Sequence, residues 1–249
     1  FYPFGILFYL LPILPAWIVY IFWQPIIGFV GMYLYLRAIT KEKTSALVGS
    51  LGFISTGFML TWFDWGIVGH AASWLGWMLW VFEKTFWQET KKFKLIAPLI
   101  VALTVLSGYP QIALLIFTIT LFYTIYPIYK SKGKRLAKLF SLAGLIAFGL
   151  AIASIQLAPT LEFALNSERE VGRDAIFSKF TLPWQSLITI FAPDFFGNIA
   201  TSNFWGNFHY QEHLSYFGVA ISPLAVISLF KFKSDARVKF FVLVSLFSI

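Results

Sequence analysis

The sequence predicts an all-α, polytopic membrane protein with about eight transmembrane segments, the last of them truncated. Three observations carry that prediction: 59% of the 249 residues are apolar and only 12% charged, the apolar residues fall in long runs, and short basic clusters separate alternate runs. An ordinary soluble domain carries about 25% charged residues. Half that supply cannot cover a water-facing surface, so a soluble enzyme core, intrinsic disorder and fibrous repeats are excluded. The net charge of +8 would suit nucleic acid in a soluble protein, but cations placed between apolar runs are a membrane pattern. The expected partner is the lipid bilayer, with no nucleic acid. The lack of cysteine removes disulfides, thiol nucleophiles and Cys-ligated zinc.

A hydrocarbon core of about 30 Å takes roughly 20 apolar residues as helix. That ruler gives runs at 13–36, 44–63, 67–82, 95–107, 111–129, 139–158, 215–230 and 240–249. Pro25 lies within the first and should kink it or free a carbonyl. The fourth run is short, so its hairpin with the fifth is partly re-entrant or its helix starts earlier. No signal peptide pattern opens the chain; it begins at Phe1 and stops at Ile249 inside an apolar run, and reads as an internal piece of a longer membrane protein.

Basic residues set the orientation. Arg37, Lys41 and Lys43 follow the first run, and Lys84, Lys91, Lys92 and Lys94 the third. Lys130, Lys132, Lys134, Arg135 and Lys138 follow the fifth, and Lys231, Lys233, Arg237 and Lys239 the seventh. If the spans alternate, sixteen of the 19 cations share one side, which the positive-inside rule makes the cytoplasm. The expected localisation is therefore the cytoplasmic (inner) membrane, multi-pass, with Phe1 outside.

The organisation that follows is six transmembrane helices with short loops over 1–158, an extracytoplasmic loop region over 159–214, and two further helices over 215–249. Seven of the 11 acidic residues fall outside: Asp64, Glu162, Glu168, Glu170, Asp174, Asp194 and Glu212. The long loop is too rich in Trp and Phe for disorder. It is expected to fold on the outer membrane face, with a short interfacial helix over 184–191 and Trp205 at headgroup level.

Several motifs lie on that face. His209-Tyr210-Gln211-Glu212-His213 spells H-x-x-E-H, the inverted zincin pattern. It leads straight into an apolar run with no downstream acidic ligand, so it reads as a pair of interfacial histidines and no metal site is assigned. Ser107-Gly108-Tyr109-Pro110-Gln111 breaks the apolar stretch, either to line a polar cavity with freed carbonyls or as a tight hairpin turn. Gln156, Pro159 and Glu162 end the sixth run; Pro159 should end or kink the helix, with Glu162 facing the protein interior as a functional group or solvated at the boundary. Arg169, Arg173 and Lys179 are cations against the charge bias. Arg169 suits a phosphate, to whose oxygens Arg offers a bidentate fork; the alternative is a run of surface ion pairs. Asp64, between Trp62 and Trp65, is either a general base or divalent-cation ligand or a solvated helix end.

Taken in order, these segments resemble the bacterial YfhO family of polytopic membrane proteins, placed among the GT-C type glycosyltransferases. The matching pieces are Ser107-Gly108-Tyr109-Pro110-Gln111, then Gln156-x-x-Pro159-x-x-Glu162 with Ser167-x-Arg169. Pro193-Asp194-Phe195-Phe196-Gly197 follows, and then Trp205-Gly206 with Glu212 and Tyr216-Phe217-Gly218. Tyr2-Pro3-Phe4 resembles the family's exit from its first large outer loop. Position 109 is Tyr where the family is expected to carry His, which removes a proton-transfer role there.

The resemblance implies a glycosyltransferase that moves a sugar from a polyprenyl-phosphate-linked donor to a cell-envelope polymer or glycolipid. It implies an acidic catalytic residue, the general base, in the first extracytoplasmic loop, which would precede Phe1, leaving Asp64 as a weak internal candidate. Substrate contacts are then expected from Tyr109, Gln111, Gln156, Glu162, Arg169, Asp194, Trp205 and Glu212. Arg169 would meet the leaving phosphate. Glu162, Asp194 and Glu212 would orient sugar hydroxyls or a divalent cation, and Trp205 and Tyr109 would stack on a ring. The competing expectation is a transporter or lipid flippase, which predicts ionisable residues buried at mid-membrane depth; the sequence shows its acids at helix ends and in loops.

Overall fold

The computed structural model describes residues 1–167, 183–206, 210–218, 221–230 and 235–247, and these hold helices and turns with no β-strand among them. The described helices are α1 (Leu7–Leu10), α2 (Ile13–Thr40), α3 (Lys43–Ile54), α4 (Gly57–Phe63), α5 (Val68–Ser73), α6 (Leu75–Phe82) and α7 (Phe93–Leu106). They continue with α8 (Pro110–Lys130), α9 (Arg135–Ile152), α10 (Ser154–Leu165), α11 (Tyr210–His213), α12 (Ile221–Phe230) and α13 (Ala236–Phe247). Each predicted apolar run overlaps at least one of them. Three helices, α2, α8 and α9, are long and apolar enough to cross a membrane, and the bent pair of α3 and α4 makes a fourth. The chain is thus a helical membrane protein by the length and composition of these helices. Exposure agrees: Phe140 and Phe148 on α9 are 71% and 63% exposed, and a continuous apolar face of that kind needs lipid or protein against it.

The runs differ from unbroken helices at three places. The second divides at Ser55 and Thr56, where α3 and α4 bend by 56°. Thr56 caps α4, accepting from the Met59 N–H at 3.4 Å, and the Gly57 N–H freed at the break donates to the Tyr216 carbonyl at 2.7 Å. The third divides at Trp74, and beyond α6 it widens into one π-turn, Glu83–Trp87. The sixth divides at Ala153 rather than ending at Pro159; α10 runs through that proline to Leu165.

Pro25 sits inside α2, and its missing N–H leaves the Ile21 carbonyl without a helical partner. The buried Gln24 side chain supplies the donor, its Nε2 reaching Ile21 O at 3.3 Å and Phe63 O, the last carbonyl of α4, at 2.8 Å. The Ser73 hydroxyl donates to Gln24 O at 2.8 Å and Trp77 Nε1 to Ile27 O at 2.9 Å. These bonds tie α5 and α6 to the middle of α2. The crossing is close because it is glycine-lined: a Cβ on Gly76 would lie 2.5 Å from Gly31 C and 2.7 Å from Met32 Cα. Small residues let membrane helices approach in this way. Met78, Val81 and Phe82 of α6, Ala97 and Val101 of α7 and Ile116 of α8 then form the main buried core.

The basic segments meet at one end of the molecule. Arg37, Lys41, Lys84 and Arg237, drawn from three of the four basic segments, line a common cleft. The fourth joins through Lys138, whose Nζ lies 2.6 Å from Glu89 Oε1. The hydrogen bond from Lys138 and its positive charge hold the Glu89 carboxyl below its ordinary range.

Candidate functional site

At the end opposite the lysines, residues 210–218 pack against the broken α3 and α4, and residues 183–206 are tied to them in turn. The Pro193-Asp194-Phe195-Phe196-Gly197 segment is a tight turn: the Gly197 N–H donates to Asp194 O at 2.9 Å, with Gly197 at φ +81°. The loop then folds back, so that the Trp205 N–H donates to Phe196 O at 2.9 Å. The Trp205 ring lies 4.8 Å from that of Phe196 and 6.2 Å from that of Phe195. Asp194 is exposed at the rim, its Oδ1 accepting from Asn198 Nδ2 and from the Tyr210 hydroxyl, each at 3.0 Å. Partial burial, with the carboxylate beside it, pushes the Tyr210 hydroxyl up to about 12, so it stays a donor to Asp194 at neutral pH. Trp184, Phe191 and Trp205 remain largely exposed on this rim, as aromatic residues do at a membrane interface.

Against the 214–217 segment lies an apolar groove of about 350 Å³ whose walls include Phe53, Met59, Leu75, Leu115, Ile116 and Leu214. It exists because the helix bends at Ser55 and Thr56 and the 214–217 segment crosses the gap. Leu214 packs on Gly57, where a Cβ would come within 2.6 Å of Leu214 Cγ. Further out, α11 packs on α4 and carries the Tyr210 that holds Asp194. The Ser215 N–H donates to Thr189 Oγ1 at 3.2 Å, fixing the 3₁₀-helix Trp184–Ile190 to the same segment. A 3₁₀-helix thus stands where a short helix was expected over 184–191. The carboxylate, phenol and indole of the rim and the apolar groove are thus joined through the 210–217 segment, an arrangement that suits an amphiphile with a polar head.

The remaining sequence-identified residues are distributed around this end. Ser107-Gly108-Tyr109-Pro110-Gln111 is a hairpin turn, with Gly108 at φ +92° and Pro110 opening α8. Gln156 Nε2 is 3.8 Å from where a Gly108 Cβ would sit, so the turn and the start of α10 adjoin. Tyr109 is half-buried, whereas Gln111, Asp64 and Glu162 are exposed, and Glu162 does not face the interior. Among the described residues no side-chain hydrogen bond or ion pair joins Asp64, Tyr109, Gln111, Gln156 and Glu162 to one another. Arg169, Arg173, Lys179 and His209 lie outside the described residues. Glu212 is within the single helical turn of α11.

Two polar clusters were not read from the sequence. His70, fully buried, has Nε2 3.1 Å from the Tyr20 carbonyl and Nδ1 3.2 Å from the Tyr2 hydroxyl. A carbonyl only accepts, so Nε2 carries the proton and Nδ1 accepts from Tyr2. That hydroxyl in turn accepts from Trp74 Nε1 at 3.1 Å. Every group is satisfied by a neutral imidazole, which makes the cluster a structural clamp.

The second cluster centres on Glu83, 0% exposed at the start of the π-turn. Its Oε1 accepts from Arg237 Nη2 at 2.8 Å and Gln88 Nε2 at 3.2 Å, and its Oε2 from the Tyr123 hydroxyl at 2.6 Å and Arg237 Nε at 3.3 Å. The Arg237 guanidinium also stacks 4.2 Å over the Trp87 ring. The sequence placed both residues in basic loops, where an acid and an arginine 154 positions apart carry no sign of each other. The one local signal was Glu83 itself, an acid framed by Trp80, Phe82, Phe86 and Trp87.

No family model matches the chain, and comparison with curated proteins and with solved structures gives no match. Function is therefore argued from the site alone.

Proposed function

We propose that this chain is the lipid-handling part of a polytopic membrane glycosyltransferase of the YfhO-like, GT-C type, taking its sugar from a polyprenyl-phosphate donor at the face opposite the basic loops. The observation that supports this best is the apolar groove walled by Leu214–Phe217, the segment that follows the Tyr210 turn holding Asp194. Its volume of about 350 Å³ is within the roughly 300–1,000 Å³ of small-molecule sites. An isoprenoid tail fits a dry slot at helix depth, while the phosphate and sugar emerge at the rim. Eight spans and an extracytoplasmic rim, in the inner membrane, belong to the same proposal.

The chemistry assigns roles as follows. A base deprotonates the acceptor hydroxyl, which attacks the anomeric carbon, and the bond to the donor phosphate breaks. The leaving phosphate gains negative charge, which a fixed cation stabilises; Arg169 is the residue for that task. Asp194, held by Tyr210 and Asn198, orients sugar hydroxyls together with Glu162 and Glu212, and Trp205 offers a ring face. Asp64 is the weak candidate for the base; the divalent cation expected with these carboxylates finds no group of three or more Asp, Glu or His side chains able to hold it among the described residues.

The test uses the full-length protein with a polyprenyl-phosphate sugar. Arg169→Ala is expected to lower transfer by about 100- to 1,000-fold, the scale of removing one preorganised charge-stabilising group. Leu115→Trp, which fills the groove from an exposed position, should weaken donor retention and raise KM with little change in kcat. Unchanged transfer in both variants would reject the reading. A flippase is the second reading: Glu83 is a fully buried carboxylate, although it is paired with Arg237 at the basic end and not at mid-membrane depth. That reading predicts scrambling of a labelled lipid across vesicles without any transfer, and loss of scrambling in Glu83→Gln.

A further inference from the structure

The basic end carries a second site, unrelated to the rim and groove. A cleft of about 760 Å³ opens there, lined by Arg37, Lys41, Lys84, Gln88 and Arg237, with the backbone of Ala38 and Ile39. No carboxylate lines it among the described residues. Glu83 lies behind the wall, its two oxygens occupied by Arg237, Gln88 and Tyr123, so it matches the Arg237 charge and leaves the others. Among the described residues the half-buried Arg37 guanidinium has no hydrogen-bond or ion-pair partner, and neither has the Lys41 ammonium. Lys84 Nζ donates to Gln88 Oε1 at 2.8 Å, and Gln88 Nε2 anchors to Ala38 O at 3.1 Å. The amide thereby aims the ammonium into the cleft with two N–H groups still free. Lys41 adopts a left-handed backbone at φ 61°, an uncommon conformation for a residue with a side chain. It closes α2 with its N–H on Arg37 O at 3.2 Å, which sets Arg37 and Lys41 side by side.

Asp235 Oδ2 lies 3.8 Å from Arg237 Nη1 but does not line the cleft, so among the described residues Arg37, Lys41 and Lys84 have no ion-pair partner there and repel one another. An oxyanion placed among them removes that repulsion and takes the Arg37 fork. The surroundings select the source of the oxyanion. The cleft is at the lysine-bearing end of the helices, at the level of lipid headgroups. Lys43 starts α3, whose Leu47, Val48 and Leu51 are exposed, so acyl chains have an apolar helix face to lie along immediately beyond the cations. We propose that this cleft is a specific binding site for the headgroup phosphate of an anionic phospholipid in the leaflet at the basic end.

The experiment uses the whole protein in a neutral maltoside detergent and reads the thermal unfolding midpoint during titration with dioctanoyl-phosphatidylglycerol, dioctanoyl-phosphatidylcholine or inorganic phosphate. The anionic lipid is expected to raise the midpoint saturably, phosphatidylcholine to leave it unmoved, and inorganic phosphate to act only at far higher concentration. Arg37→Gln with Lys41→Asn, where Asn tolerates the left-handed backbone, should raise the half-saturating lipid concentration at least tenfold. Lys91→Gln with Lys94→Gln removes the same charge away from the cleft and should change it less than twofold. Should the first double variant not fold, Lys41→Asn alone is expected to weaken binding at least threefold. The proposal is overturned by a midpoint that does not respond to phosphatidylglycerol, by equal weakening in the two double variants, or by an unchanged half-saturation in Lys41→Asn. Inorganic phosphate acting as well as the lipid would overturn the lipid assignment.

Discussion

Glu83→Ala is expected to destabilise the protein by about 3–5 kcal/mol, the range found when one partner of a buried ion pair is removed. Arg237 would keep its charge, with the guanidinium pinned over Trp87, and the buried Tyr123 hydroxyl would lose its acceptor. A loss of that size is a large part of the ~5–15 kcal/mol that holds a typical fold together. Glu83→Gln should cost less, because its amide oxygen still accepts from one donor. The informative comparison is Glu83→Gln combined with Arg237→Met. If the pair acts as a unit, the double variant is more stable than the sum of the single losses predicts, and the difference measures the coupling. Thermal midpoints of detergent-purified protein at fixed pH give all four corners of that cycle. Additive losses would mean that the two side chains stabilise separate contacts.

Gly76→Ala and Gly144→Ala should have opposite signs. At Gly76 the added methyl lands on the backbone of Gly31 and Met32, and backbone cannot rotate aside as a side chain can. The cost of overpacking is commonly about 1–3 kcal/mol, and the upper end or beyond is expected here because α2 must move away from α6 as a unit. The bonds from Ser73 and Trp77 to the α2 carbonyls would lengthen with it. At Gly144, midway along α9, a Cβ meets nothing within 4 Å. There the helix propensity gain of alanine over glycine, up to about 1 kcal/mol, is unopposed. A paired thermal-shift measurement on the two variants reads the packing term directly; similar shifts in one direction would refute the close helix crossing.

The positions of the helices were legible because apolar length and basic punctuation are local properties. Lys41, Lys84, Lys130 and Arg237 mark the ends of the helices that the hydrophobic runs imply, and the structure brings three of those four to one cleft or its wall. Pro25 was legible too, since a missing N–H must leave a carbonyl open. That Gln24, the preceding residue, would fill the gap was not, because its other bond goes to Phe63 in a different helix. The breaks at Ser55, Trp74 and Ala153 were invisible to a hydropathy count. None contains a charge, and the first is stabilised by Tyr216, 159 positions further along the chain from Gly57. The carboxylates and aromatic residues of the outer segment were singled out for their types. Their arrangement divides them: Asp194, Tyr210 and Trp205 form one rim, Gln156 adjoins the Gly108 turn, and Asp64 and Glu162 are exposed apart from either.

The central claim is that the rim and the basic cleft face opposite sides of one membrane. A cysteine-free chain allows this to be measured with single-site variants. Ile199→Cys, Lys91→Cys and Lys132→Cys occupy exposed positions in the outer loop and in two of the basic segments. In intact cells a membrane-impermeant maleimide is expected to label the variant at 199 and to leave those at 91 and 132 unlabelled until the membrane is opened. Labelling of position 199 together with 91 and 132 in intact cells, or of none until lysis, would put rim and cleft on the same side and contradict the account.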